Sequence, residues 1–244
     1  MAQGIRVAEK TWPEVEAALA NNATAILPIA ATCKEHGKHL PMATDYIQAE
    51  WLISQLLTQV NTVVWPTLGY GYYPAFVNYP GSCSLNEATF EKVVFEIIQS
   101  IVASGAKNIF LLNTGISTIP PLKNTVDSFK YSTKIQLLNI YSGEHFCAAE
   151  KKLKQQIRGS HADEIETSIM LAIAPGKVNM DLADTNTEEM QPGPLNRTQQ
   201  NQPNYSPSGV YGDARLATEE KGKILLAAML KDILQAIKDL QDQA

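Results

Sequence analysis

An α/β fold with a mostly parallel sheet between helices is what this sequence predicts, on three observations. Ala23 to Ala30 is apolar without polar alternation, the pattern of a strand buried on both faces, and Thr62 to Trp65 and Asn108 to Leu112 read as further strands. Amphipathic stretches of helical period separate them. The loops that follow the strands carry the Gly, Tyr, His and carboxylate residues, and in parallel sheets ligands sit beyond the carboxyl ends of the strands. The 244 residues are expected to form a single domain.

In chain order, Thr11-Trp12-Pro13-Glu14 opens a helix with a capping box and a first-turn proline, ending near Ala20 before Asn21-Asn22. The strand from Ala23 to Ala30 runs into a polar loop, and a helix follows from Tyr46 to about Gln59, with Ala49, Leu52, Ile53, Leu56 and Leu57 as its apolar stripe. After the second strand, residues 67–84 are rich in Gly, Tyr and Pro; so long a loop in a compact domain is usually functional. Its tyrosines suit either a pocket wall or simple loop cover. A helix capped within Ser84-Leu85-Asn86-Glu87 runs to Ala103, with Gly105 as its stop. The third strand leads to the loop 113–118, a helix from Pro120 to about Tyr131, and a fourth strand from Lys134 to Ile140. Helices are then expected over Glu144 to Ile157, from just after His161, and over Leu216 to Leu240, where Ile224, Leu225, Ala228, Ile233 and Ile237 read as core contacts. The polar stretch 175–213 reads equally as an ordered excursion or a mobile one.

The totals exclude several classes. A net charge of −5 and a pI near 5.4 give no electrostatic footprint for nucleic acid. No apolar run approaches the ~20 residues that span a bilayer, and the first ten residues lack a signal-peptide core, so the expected location is the cytoplasm. Three cysteines without a C-x-x-C pair argue against a disulfide framework.

Chemistry concentrates at 33–45, where Cys33, Lys34, Glu35, His36, His39 and Asp45 fall together. Imidazole and carboxylate donors are what zinc, manganese or iron requires. Each residue also has a plainer reading: Asp45 as a helix N-cap boxed by Gln48, the histidines as loop residues, Cys33 as a small hydrophobe. A second cluster, His161, Glu164 and Glu166, begins a helix, where acidic residues also favour the dipole. Cys33 beside His36 is in addition a candidate thiol nucleophile.

Four stretches together carry a resemblance: Glu35-His36-Gly37-Lys38-His39-Leu40-Pro41 with Thr44-Asp45; Tyr79-Pro80-Gly81-Ser82; His161-Ala162-Asp163-Glu164-Ile165-Glu166-Thr167-Ser168; and Ser208-Gly209-Val210-Tyr211-Gly212-Asp213 with Ala217-Thr218. From about residue 5 to 240 the chain resembles the creatininase (creatinine amidohydrolase) family. The resemblance implies an α/β fold, a two-metal site of zinc with manganese or a second zinc, hydrolysis of a C–N bond in a small cyclic or linear amide, and a homo-oligomer, often a hexamer. By position in the motifs, Asp45 matches the bridging aspartate and His36 a metal-binding histidine, with Glu35 and Glu166 as further metal ligands. His161 matches a histidine near the substrate that transfers a proton, and Glu164 is the second catalytic candidate.

Two departures stand out. The family's Glu-x-His-Gly has Lys34 where the glutamate belongs; the stretch from Pro28 is one residue longer than usual, so a bulge would let Glu35 take that place. Its third loop, Asn-Gly-His-Gly-Gly-Asn, reads Asn113-Thr114-Gly115-Ile116-Ser117-Thr118, with Gly115 in place of a ligand histidine. Ser117 replaces a glutamate of creatininase itself, which points away from creatinine as substrate. Two main functions follow as expectations: a metal-dependent amidohydrolase with a modified site, or a repurposed member that binds a small molecule or serves as an assembly subunit, with Lys34 in the place of a lost cation.

Overall fold

The computed structural model describes residues 4–129 and 133–242. In chain order its main elements are β1 (Ile5–Arg6), α1 (Trp12–Ala20), β2 (Thr24–Ile29), α2 (Thr44–Leu56), β3 (Thr62–Val64), α3 (Glu87–Ala103), β4 (Asn108–Asn113), α4 (Ile119–Asp127), β5 (Lys134–Asn139), α5 (Glu144–Leu153), α6 (Glu164–Ile173), β6 (Thr185–Asn186), β7 (Gly212–Asp213) and α7 (Glu219–Asp242). A five-stranded parallel sheet, ordered β1-β3-β2-β4-β5, forms the middle layer. β2 and β4 lie at its centre and every residue of both is buried, which explains their unbroken apolar runs. Phe110 and Leu112 face α2, α5, α6 and α7; Ile109 and Leu111 face α1, α3 and α4. Alternate side chains of one strand thus feed two cores.

The strand–helix alternation holds, with informative differences. β1 was not expected; two residues joined to the sheet edge leave little sequence signal. Tyr131, the expected end of α4, lies outside the described residues. α5 stops at Leu153 because the backbone N–H groups of Gln155 and Gln156 donate to the Glu164 carboxylate instead of continuing the helix. Ile224 is half exposed on α7 and no core contact. Residues 175–213 are an ordered excursion of short helical turns that closes with the antiparallel β6–β7 pair. No helix among the described residues is long and apolar enough to cross a membrane.

The loops after β2, β3 and β4 share one sheet edge. Thr32 N–H donates to the Gly69 carbonyl, Cys83 N–H to the Cys33 carbonyl, and Thr114 N–H to the Ile29 carbonyl. These bonds stitch 31–43, 67–84 and 113–118 into one floor.

Candidate metal centre

Asp45 does not cap α2; it lies in the first turn, fully buried, with Ala43 as the cap residue. Gln48 closes no capping box and accepts from the Tyr141 hydroxyl at 2.6 Å. Both side chains face inward, where a cluster of charged residues converges under the loops. Lys34 Nζ is 2.7 Å from Asp45 Oδ2, and Asp45 Oδ1 is 3.3 Å from His36 Nε2. His36 Nε2 is 4.0 Å from Glu166 Oε1, and Glu166 Oε2 is 3.6 Å from His161 Nδ1. His161 Nε2 completes the circuit 3.1 Å from Glu35 Oε2. Every one of these side chains is buried.

The outer contacts fix the histidine orientations. His36 Nδ1 faces the Lys34 carbonyl at 2.9 Å; a carbonyl only accepts, so Nδ1 donates to it and Nε2 is the nitrogen turned inward, toward Asp45 and Glu166. For His161 the Glu35 carboxylate plays the same role at Nε2 and leaves Nδ1 toward Glu166. A carboxylate or carbonyl behind each ring is the usual support of a metal-binding histidine. The inner atoms of His36, His161 and Glu166 lie within 4.8 Å of one another, the one such group among the described residues. Two imidazoles and a carboxylate fit a divalent transition metal.

Electrostatics bind the cluster together. Burial alone would lower the Lys34 ammonium, but the charges of Asp45 and Glu166 outweigh it and raise its pKa. Burial would raise Asp45; Lys34 and His36 hold it well below the usual carboxylate range. Burial opposes charge on His161 too, and Glu35 and Glu166 reverse the balance and raise its pKa. Burial, helped by the Glu166 charge, pushes Asp163 up to about 6.

Beside the cluster opens a cavity of about 370 Å³, walled by Tyr73, Phe76, Tyr141 and Phe146, with Lys34, His161 and Glu166 on its polar side. Tyr73 thus belongs to the pocket wall, whereas Tyr79 is loop cover, its hydroxyl donating to the Ser206 carbonyl.

A family model described as creatinine amidohydrolase matches residues 8–237. The chain belongs to the creatininase family. It is 25% identical to the creatinine amidohydrolase of Pseudomonas putida, with 98% of each chain covered. It is 24% identical to the 3-dehydro-scyllo-inosose hydrolase of Thermotoga maritima, covering 89% of this chain and 78% of that one. The mycofactocin precursor peptide peptidase of Mycolicibacterium smegmatis is 25% identical, with 88% and 85% covered. Among solved structures a tryptophan-to-alanine mutant creatininase superposes with a TM-score of 0.82 at 24% identity, covering 98% of this chain and 99% of that one. A mutant creatininase of Zn-Zn type superposes at 0.81, also at 24% identity, with 98% of each chain covered.

Within the creatininase frame, the cluster gathers His36, Asp45, His161, Glu166 and Glu35. Glu35 supports His161 and accepts from the Gly37 N–H, so it stands behind a ring and not beside Asp45. Glu164 is turned away, to the 155–156 backbone and Lys221 Nζ. Cys33 gains no base, since both His36 nitrogens face other partners. Gly115 is packed tightly; a Cβ there would fall 2.6 Å from Thr118 Oγ1. Sequence reasoning missed Phe76, whose ring packs tilted against His161 with centroids 4.2 Å apart, and Tyr141, which donates to Gln48 and approaches Glu166 at 3.4 Å. Neither lies in a motif of its own; only the tertiary fold brings them in.

Proposed function

We propose that this chain is a hydrolase that acts on a small amide through one divalent cation held by His36 Nε2, His161 Nδ1 and Glu166. The observation that carries this reading is the pair of ring nitrogens turned toward Glu166, each ring held by an oxygen on its far side. Zinc suits the donor set best, and manganese or iron would also fit. When bound, the cation supplies Lewis-acid polarisation of a carbonyl and a lowered pKa for water. The chain itself does the rest. Asp45 places a carboxylate oxygen beside His36 and holds the Lys34 charge next to the reaction centre. Tyr73, Phe76 and Tyr141 wall a cavity of small-molecule size. An amide is the natural target because an amidohydrolase and a peptidase are among the named relatives.

This reading moves His161 from proton donor to ligand. Metal content of protein purified without chelators or an affinity tag tests it. One ion per chain is expected, with loss in both His161→Gln and Glu166→Gln; retention in His161→Gln would return that ring to proton transfer. Lys34 favours a second reading, a metal-free family member that binds a small molecule, because its ammonium already neutralises Asp45. Folded protein that takes up neither zinc nor manganese would establish it.

A further inference from the structure

Lys34 is 5% exposed, yet it lines the cavity. An ammonium carries three donors. Among the described residues its one oxygen partner is Asp45 Oδ2. Its other neighbours are the faces of Tyr73 and Phe76, with ring centres 5.7 and 5.2 Å from Nζ, which favour the cation but accept no conventional hydrogen bond. No other oxygen partner of this buried ammonium is found among the described residues, which leaves donors for a ligand in the cavity that Lys34 lines.

The carboxylates around the same cavity are spoken for. Asp45 faces Lys34 and His36. Glu166 accepts from the Ala162 N–H and faces His161. Asp163 accepts from the first amides of α6 and from Gln156, and Glu150 pairs with Lys154. Of the charged groups around the cavity, the one with donors left for a ligand is a cation, buried where a charge-assisted bond is strong.

We propose that Lys34 forms an anion subsite and that the substrate is a small amide bearing a carboxylate, bound with that carboxylate on Nζ. The amide part of this inference rests on the hydrolase reading; the anion subsite rests on Lys34 alone. Apolar atoms of such a molecule lie against Tyr73 and Phe76.

The test compares N-acetylglycine with N-acetylglycinamide, which differ in the terminal charge, by isothermal calorimetry on the whole protein as purified. N-acetylglycine is expected to bind at least about tenfold more tightly, and Lys34→Gln to cut that preference below about twofold. Equal affinities, binding of neither compound, or a preference that survives in Lys34→Gln would overturn the proposal. If Lys34→Gln does not fold, the wild-type comparison together with Lys34→Arg, which keeps the charge and is expected to keep the preference, decides it. Repeating the titration on Glu166→Gln shows whether a cation, and not Lys34, grips the carboxylate; loss of the preference there would also overturn it. Metal content of the same samples reports on the hydrolase reading, so the two fail separately.

Discussion

Asp45 is shared between two neighbours: Oδ2 meets Lys34 Nζ at 2.7 Å while Oδ1 faces His36 Nε2 at 3.3 Å. One fully buried carboxylate thus ties a fixed ammonium to the candidate metal site. Removing one member of such a pair leaves the other charged and unpaired in the interior, at a cost of about 3–5 kcal/mol. Lys34→Met is expected to lose that much in urea denaturation of chelator-treated protein, and Lys34→Met/Asp45→Asn to recover most of it. A single variant within about 1 kcal/mol of the parent would mean that water already screens the pair.

Glu164 offers the opposite case, a motif carboxylate spent on architecture. It accepts from the Gln155 and Gln156 amides and from Lys221 Nζ, and so fastens the end of α5 to α6 and α7. Glu164→Gln removes the charge from a buried pair, so a loss of about 3 kcal/mol, or roughly 5–10 °C in thermal midpoint, is expected. Metal content should stay at the wild-type level. A stable variant that has lost its metal would place Glu164 back in the site.

These two residues show what the sequence made legible. β2 and β4 were readable because strands buried on both faces need unbroken apolar runs, and the ligand edge followed from parallel topology. His36, Asp45, His161 and Glu166 were readable as a set through motif order. Roles within the set were not, because they depend on the atom behind each one. Glu35 and Glu164 are both acidic residues beside a histidine motif; one supports the His161 ring and the other takes up the amides just past the end of α5. Lys34 looked like an obstacle in the sequence, and only its distance to Asp45 shows how its charge is accommodated.

Gly209 controls the site from the Ser208-Gly209-Val210 stretch. It has φ +87°, and a Cβ there would collide with the Glu35 carboxylate. Gly209→Ala therefore combines backbone strain of about 1–3 kcal/mol with displacement of the carboxylate that orients His161. Lower stability is expected together with metal affinity weakened by about 10–100-fold, the usual effect of losing a ligand's support. Affinity measured by competition with a chromogenic chelator checks this. A variant that is less stable but binds metal as tightly as the parent would show that Glu35 does not set the His161 orientation.

His39 gives a pH signature of defined sign. It is 2% exposed, its Nε2 shares a 2.8 Å hydrogen bond with Thr167 Oγ1, and Nδ1 has no partner. Burial lowers its pKa from 6.5 to about 4. Above pH 6.5 the ring is neutral whether the chain is folded or unfolded, and it contributes no pH dependence. Between 6.5 and 4 the unfolded chain takes up the proton first, so stability falls as pH falls, by up to about 3 kcal/mol over the window. Asp163 acts the other way: raised from 3.8 to about 6, it costs stability as pH rises through that range. The two nearly cancel in the wild type, so the comparison needs a variant. The stability of wild type minus that of His39→Gln, from urea melts at fixed pH, should climb by about 2–3 kcal/mol from about pH 4 to 6.5 and then level off. A flat difference would mean that the folded protein accepts a proton on His39 as readily as the unfolded chain does.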